Sequence, residues 1–263
     1  MHFPRRIVCL TEEAVEVLFA LGEGDRVVGV SAYVERPAEA KKLPVVCAFT
    51  GGNVKKVRDL NPDLVLGFSD IQKDFARDLI GAGLNVFIAN HRSIEEILSY
   101  IRLIANMVGK QEEGELYLEQ IELKIEKARA FAKSLTKRPK VYIEEWDEPR
   151  ICAIRWFHEL VELCGGDSIT KDQSMGSLAK ERFIEDQFVI DANPDIILAC
   201  WCGKKVDKES IANREGYSEL EAVKRGNIFE LDPAVFLQPG PAPLVTGIDT
   251  LCEIFSSWVK TSP

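Results

Sequence analysis

Acidic, basic and histidine side chains in this chain cluster where short apolar stretches end. The charged members of this group are Glu12, Glu13, Glu144, Glu145, Asp147 and Arg150. Paired carboxylates are the groups that general acid–base catalysis uses. Glu144 and Glu145 are neighbours on a predicted strand, however, so their side chains point to opposite faces. We therefore expect these groups to cap helices, to bind ligand amides or to be solvated.

Cysteine is the next residue type with possible chemistry. Cys200 and Cys202 flank Trp201, but a structural zinc ion needs four ligands and the sequence offers no second pair at suitable spacing. The seven cysteines are odd in number and show no framework spacing, which favours free thiols in a reducing compartment. Neither "TGGN" nor "QPGPAP" has the glycine spacing of a phosphate-binding loop.

Size and charge exclude several classes of protein. The chain has 263 residues, a net charge of −9, and no apolar run approaching the length of a membrane span. We expect no membrane insertion, and the acidic balance argues against a nucleic-acid partner. The early apolar run "IVCL" is broken by Thr11 and Glu12, so we expect no signal peptide. The expected location is cytoplasmic as given, or periplasmic or cell-surface if the sequence is a trimmed mature form.

A two-fold internal repeat defines the elements that position these residues. "LNPDLVLGF" and "ANPDIILAC" place prolines at 62 and 194, about half the chain apart, each before an apolar run typical of a buried parallel strand. Each half opens with a strand, a loop and a helix closed by glycine. The predicted fold is α/β, with two similar lobes whose mainly parallel central sheets are flanked by helices. Ligands of such sheets bind beyond the carboxyl ends of the strands.

One long amphipathic helix is expected between the halves. Apolar residues recur at spacings of 3 and 4 from about Gln111 to Thr136, which predicts a helix about 39 Å long. The expected domains are an N-terminal lobe over 1–109, a linking helix over 110–137 and a C-terminal lobe over 138–263.

The combined phrases resemble the class III substrate-binding proteins of ABC importers, which hold cobalamin, haem and iron–siderophore chelates. The matching stretches are "RIVCLTEEAVEVLFALGEGDRVVGVS", "YVERPAEA", "VKKVRDLNPDLVLGF", "WFHELVELCGGDSI" and "VIDANPDIILA". The Tyr33-to-Pro37 phrase is most similar to the cobalamin-binding branch, and "EEWDEPRICAIRWFHELVELCGG" to a subgroup without signal peptides. The resemblance implies a corrinoid, cobalamin or a precursor, held without catalysis between the lobes for uptake, carriage or sensing, and no intrinsic cofactor.

Two positions depart from the family pattern. Exported members carry a glutamate on an outward helix of each lobe for docking onto the permease. The corresponding positions here hold Lys73 and Gln187, which weighs against docking to an ABC permease.

A corrin ring is broad and largely apolar, so its site should offer aromatic faces and a few hydrogen-bonding groups. The expected ligand-binding residues are Tyr33, Phe49, Phe68, Trp146, Trp156, Trp201, Phe236, Glu13, Asp147 and Arg150. Trp146 and Trp201 are favoured because each directly follows a predicted apolar strand. Core packing is the alternative for every aromatic residue. His158 is the candidate axial ligand of cobalt, although a lone histidine is more often structural.

Two alternatives remain at this point. Arg36, Arg92, Arg150 and Arg155 keep open an iron–siderophore or haem ligand, although acidic residues outnumber basic ones at the predicted edges. A tetrapyrrole-handling enzyme such as a chelatase is the second alternative, with His158, His91 and Glu145 as the groups to remove in a metal-insertion assay.

Overall fold

The computed structural model describes residues 3–261, which divide into two compact units. The first unit takes in the chain up to His91, together with Glu95–Ile121 and Gln238–Ala242. The second unit contains Arg92–Ile94, Glu122–Leu237 and the chain from Pro243 onward. Each unit is built on its own five-stranded sheet.

The sheet of the first unit is wholly parallel. Its strands are β1 (Ile7–Cys9), β2 (Val27–Ser31), β3 (Val45–Cys47), β4 (Leu64–Phe68) and β5 (Val86–Ala89). They lie in the order β3-β2-β1-β4-β5. The central strands β1 and β4 are buried along their whole length, as strands covered on both faces must be.

The sheet of the second unit has a similar group of parallel central strands and one additional antiparallel strand. Its strands are β6 (Lys140–Asp147), β7 (Arg150–Cys152), β8 (Asp167–Ser168), β9 (Ile196–Ala199) and β10 (Ile228–Glu230). The order is β10-β9-β6-β7, with β8 paired to β6. Only the pairing of β6 with β7 is antiparallel. The expected α/β class, with two similar units and mainly parallel sheets, is confirmed.

Helices flank both sheets and carry the chain from strand to strand. They are α1 (Glu12–Ala20), α2 (Val54–Asp59), α3 (Lys73–Gly81), α4 (Ile94–Val108), α5 (Gln111–Ser134), α6 (Arg155–Leu163), α7 (Asp186–Ala192), α8 (Lys208–Ala212), α9 (Glu221–Lys224), α10 (Pro233–Phe236) and α11 (Ile248–Thr261). The expected long helix is α5, of 24 residues. Its first half belongs to the first unit and its second half, from Glu122, to the second.

The repeated Asn-Pro-Asp phrase has the same structural role in both units. Asn61 and Asn193 have φ values of +47° and +45°, the left-handed conformation in which α2 and α7 end. The carboxylate of Asp63 accepts the backbone N–H of Arg6 at 3.0 Å, and that of Asp195 accepts the N–H of Lys140 at 2.8 Å. Each aspartate therefore holds the start of the neighbouring strand, β1 or β6, in register beside β4 or β9.

A second pair of residues, Asn85 and Asn227, also makes matching contacts in the two units. The side-chain amide of Asn85 donates to the carbonyl of Asp63, and that of Asn227 to the carbonyl of Asp195, each at 3.1 Å. Asn85 precedes β5 and Asn227 precedes β10. Three adjacent strands in each unit are thus aligned by the same polar contacts at their amino ends, which fixes where their carboxyl ends stop.

Candidate functional site

The carboxyl edge of the first sheet presents two exposed aromatic side chains. Tyr33, which follows β2, is 53% exposed, and Phe49, which follows β3, is 37% exposed. Single exposed aromatic side chains are common on protein surfaces, and Phe3 and Phe183 are similarly exposed. The position of Tyr33 and Phe49 at this edge is therefore what makes them candidates. Both residues were expected in the ligand site; they lie at the carboxyl edge of the sheet, and their contact with a ligand stays a prediction.

The loop that carries Phe49 is held in a fixed shape. Buried Gln72 donates its amide to the carbonyl of Phe49 at 2.8 Å and accepts the N–H of Phe68 at 3.1 Å. Gly52 bridges back to Cys47, and a Cβ at Gly52 would lie 2.5 Å from the Cβ of Cys47. Only glycine fits there, so the sequence "TGG" makes the tight turn that projects Phe49.

Phe68, at the end of β4, lies deeper in the same unit. It is 5% exposed, and its ring meets the edge of the His91 ring with centroids 5.0 Å apart. The ring of His91 in turn stacks on Tyr100 at 4.3 Å. Ser69, the next residue, has a φ of +78°, which is unusual for a residue with a side chain. Phe68 therefore packs in the interior, and its expected contact with ligand stays a prediction.

Three glutamates at the start of α1 form a buried acidic cluster. Burial raises the pKa of each of Glu12, Glu13 and Glu16 to about 7. Arg36 opposes this effect, since one guanidinium nitrogen lies 2.5 Å from Glu16 and another 3.5 Å from Glu12. Glu13 accepts a hydrogen bond from the Thr11 hydroxyl. These carboxyls therefore exchange protons near neutral pH.

The segment Gln238–Ala242 packs on this acidic cluster. A Cβ at Gly240 would lie 2.7 Å from the Cβ of Glu13, and the N–H of Ala242 donates to Glu16 at 3.4 Å. The ring Nε2 of His91 lies 2.6 Å from the carbonyl of Pro239. The Gly/Pro-rich sequence thus allows close backbone contact with α1, and Glu13 is fully buried beneath it.

The carboxyl edge of the second sheet is dominated by two indoles and a lysine. The ammonium of Lys204 lies 4.3 Å from the ring centroid of Trp146 and 4.8 Å from that of Trp201. The same ammonium is 2.5 Å from a carboxylate oxygen of Asp147. Trp146 is half-buried, whereas Trp201 is 2% exposed. The structure therefore brings together three of the expected ligand-binding residues, Trp146, Trp201 and Asp147, with a lysine that the sequence analysis overlooked; their contact with a ligand stays a prediction.

Trp201 is anchored by a buried ion pair. Its indole N–H donates to Glu144 at 3.1 Å, and Glu144 also accepts two bonds from the guanidinium of Arg214, at 2.5 and 2.8 Å. The hydroxyl of Tyr142 donates to the same carboxylate at 3.1 Å. A buried carboxylate needs such partners to remain charged. Glu144 thus has the structural role of fixing the ring of Trp201, which the sequence analysis did not foresee.

Three other expected site residues lie inside the second unit. Trp156 and Phe236 are 4% and 2% exposed, and the indole N–H of Trp156 donates to the carbonyl of Phe236 at 3.0 Å. His158 is 4% exposed, and burial lowers its pKa. A neutral imidazole is the form that binds metals, but a ring this buried reaches a ligand only after its surroundings move. Their ligand contacts stay predictions.

The arginines near these edges are already paired. Arg150 forms a salt bridge with Asp186, and Arg155 is 2.7 Å from Glu159. Arg182, which is 3% exposed, bonds to Glu145 at 2.6 Å. An anionic ligand would have to compete with a protein carboxylate for each of them.

Among residues 3–261, no three histidine, cysteine or acidic side chains come together in a way that could hold a metal ion. The helices in that range include none with the length and apolar character needed to cross a bilayer.

Comparison with known families gives a match over most of the chain. The family described as periplasmic binding protein matches residues 7–235. That range begins at the first strand and ends in α10, so it takes in both sheets and the exposed edge residues of each unit.

Two curated relatives are similar over most of their length. An uncharacterised ABC transporter substrate-binding lipoprotein, YvrC, from Bacillus subtilis is 28% identical over 259 residues, 95% of this chain and 79% of the relative. A vitamin B12-binding protein from Yersinia pseudotuberculosis is 28% identical over 211 residues, 78% of this chain and 72% of the relative. The expectation of a cytoplasmic location finds no support in these relatives.

Solved structures share the fold at lower identity. The periplasmic heme-binding protein RhuT from Roseiflexus superposes with a TM-score of 0.81 at 24% identity, covering 97% of this chain and 98% of the other. The periplasmic vitamin B12-binding protein BtuF of Vibrio cholerae gives 0.77 at 22%, covering 98% and 99%. At such identities the likeness establishes the fold, and it does not distinguish one ligand from another.

Proposed function

Because the chain belongs to the periplasmic binding protein family, as a substrate-binding protein of the class III ABC-importer type, we propose that its ligand is a corrinoid. The ligand is cobalamin or a precursor, and it is bound and released unchanged, since members of this family are not enzymes. A chelatase activity is therefore not proposed. The protein needs no cofactor of its own for this role.

The observation that carries the proposal is the set of accessible aromatic rings at the carboxyl edges of both sheets. Tyr33 and Phe49 are exposed in the first unit, and Trp146 is accessible in the second. Flat rings bind favourably against such faces, each contact contributing about 1 kcal/mol beyond the area it covers. A corrin ring, which is broad and fringed by neutral amides, suits a surface of this kind.

Charge favours a corrinoid over an iron–siderophore or haem. Four arginines could have bound an anionic siderophore chelate or haem. Three of them, Arg36, Arg150 and Arg155, are bonded to carboxylates of the protein. A siderophore chelate or the propionates of haem would displace those carboxylates at an electrostatic cost. The amides of a corrinoid require no such exchange. A relative that is named for binding vitamin B12 is in line with this choice.

Partner and location follow the family in this proposal. A permease of the ABC type receives the ligand, and the protein works in the periplasm or at the cell surface; one relative is named as an ABC transporter lipoprotein and another as periplasmic. Lys73 and Gln187, both exposed at the starts of α3 and α7, stand where other members carry docking glutamates. The contact with the permease therefore relies on different side chains here.

Titration calorimetry with cyanocobalamin and with hemin tests the proposal. We expect cyanocobalamin to bind with a Kd of about 1 μM or lower and hemin at least 10-fold more weakly. Trp146→Ala should weaken cyanocobalamin binding about 10-fold through loss of one stacking face. Phe3→Ala is the matched control, because Phe3 is a 40% exposed aromatic residue before β1, away from the carboxyl edge. Absence of cyanocobalamin binding at about 50 μM would exclude this ligand, and tighter hemin binding would favour haem.

A further inference from the structure

Lys204 occupies the aromatic surface on which the second unit is expected to bind its ligand. Its ammonium lies over both indoles, 4.3 Å from the centroid of Trp146 and 4.8 Å from that of Trp201. Such distances are those of cation–π contacts. Lys204 is located in the turn just after β9, and its side chain is 40% exposed, so its movement requires no rearrangement of the buried interior.

The positive charge of Lys204 is already balanced within the protein. Asp147, at the end of β6, is 2.5 Å from the ammonium and is held in its charged form, since the bond from Lys204 contributes to lowering its pKa. Burial opposes that effect and is the larger single influence. A ligand anion approaching Lys204 would therefore meet a carboxylate beside it, and Lys204 is poorly suited to receive an anion.

The two indoles differ in burial, since Trp201 is 2% exposed and Trp146 is only half-buried. Trp201 is fixed by its bond to Glu144 inside the second unit. Trp146 is partly buried against the apolar core of the same unit, and its N–H donates to the carbonyl of Glu148 at 2.9 Å. A ring that stacks on Trp146 must take the position of the Lys204 ammonium, because the ammonium lies against the same face.

We propose that Lys204 is a displaceable occupant of the surface formed by Trp146 and Trp201, and that the neutral part of a flat ligand replaces it. This inference rests on the proposed function and refines it, since it makes Lys204 a specificity-determining residue. When Lys204 moves away, Asp147 remains at the rim and disfavours ligands whose carboxylates would lie beside it. The site thus selects neutral, amide-fringed rings over anionic ones.

Removing the lysine side chain should strengthen ligand binding. Exposed cation–π contacts and surface ion pairs are individually weak, so displacement of Lys204 opposes binding only modestly. We expect Lys204→Ala to bind cyanocobalamin about 3- to 10-fold more tightly than the wild type. Lys204→Arg, which keeps a cation that stacks on indoles, should bind no more tightly than the wild type.

The test measures Kd for cyanocobalamin in four proteins and tryptophan quenching by acrylamide in their ligand-free forms. The proteins are the wild type, Lys204→Ala, Lys204→Arg and Lys205→Ala, the last removing the same charge from the same turn. Quenching should increase only in Lys204→Ala, because all four tryptophans lie in the second unit and Lys204 covers two of them. Lys205→Ala should match the wild type in both measurements.

The outcomes separate this inference from the function on which it rests. Tighter binding and stronger quenching in Lys204→Ala alone support both. If all four proteins bind cyanocobalamin equally, or Lys204→Ala binds more weakly, the displacement of Lys204 is wrong while the corrinoid function stands. If none of the four binds, the proposed function is wrong and the inference falls with it.

Discussion

At the scale of single residues, the chain keeps carboxyl groups where their ionisation is unfavourable. Glu13 is fully buried beneath Gly240, and burial raises its pKa to about 7. Since its pKa in an unfolded chain is close to 4.5, the folded protein binds an extra proton between these values. Stability therefore falls as the pH rises from about 4.5 to about 7.

The variant Glu13→Gln measures this effect. It keeps an oxygen that can accept the bond from Thr11 and removes the charge. We expect it to raise the free energy of unfolding by about 1–3 kcal/mol at pH 8 and to change it little at pH 4. Urea denaturation at both pH values gives the comparison, with exposed Glu122→Gln as the control. An equal effect of Glu13→Gln at both pH values would show that the buried charge is not its cause.

The sequence identified individual site residues unevenly. Tyr33, Phe49 and Trp146 were expected at sheet edges because the approximate end of a strand can be read from the chain, although β6 extends to Asp147 and so includes Trp146 rather than ending before it. The burial of Trp156 and Phe236 depends on contacts between residues far apart in sequence, which no local pattern contains. Lys204 was overlooked because a lysine in a glycine-containing turn is ordinarily solvated, and only the fold brings it onto two indoles.

At the scale of elements, the Asn-Pro-Asp phrase shows which structural features local sequence can predict and which it cannot. Proline cannot continue a helix and restricts the asparagine before it, and both preceding helices end just before it. The role of the aspartate was not predictable, because its partners Arg6 and Lys140 are more than 50 residues away in sequence. The strand lengths were also approximate, since pairing partners decide where a strand stops.

The left-handed asparagine gives a test at this scale. Asn61 has a φ of +47° where α2 ends. An alanine in that conformation is strained, whereas glycine adopts it readily. We expect Asn61→Ala to lower the free energy of unfolding by about 1 kcal/mol and Asn61→Gly to leave it within about 0.5 kcal/mol of the wild type. If urea denaturation gave the two variants the same stability, the backbone conformation would not explain the residue.

At the scale of the whole molecule, the duplication was the strongest signal in the sequence. Repeated phrases half a chain apart predicted two similar α/β units, and both sheets share the same central arrangement of three parallel strands. The antiparallel β7 was not anticipated, because a short hairpin after β6 has no counterpart in the first unit. The division into lobes over 1–109 and 138–263 with a linking helix over 110–137 stays a prediction.

Whether the ligand contacts the aromatic rings of each carboxyl edge can be tested for each unit separately. Amide hydrogen exchange, measured with and without cyanocobalamin, shows which loops the ligand covers. Backbone amides in a covered loop exchange more slowly, because the ligand restricts local opening. We expect slower exchange in the loops around Tyr33 and Phe49 of the first unit and around Trp146 and Lys204 of the second. The amides of α2, which lies between β3 and β4 in the sequence, serve as an internal control. Protection of the second unit alone would mean that the exposed rings of Tyr33 and Phe49 have another purpose, and the corrinoid would then be held by the indole surface of one unit.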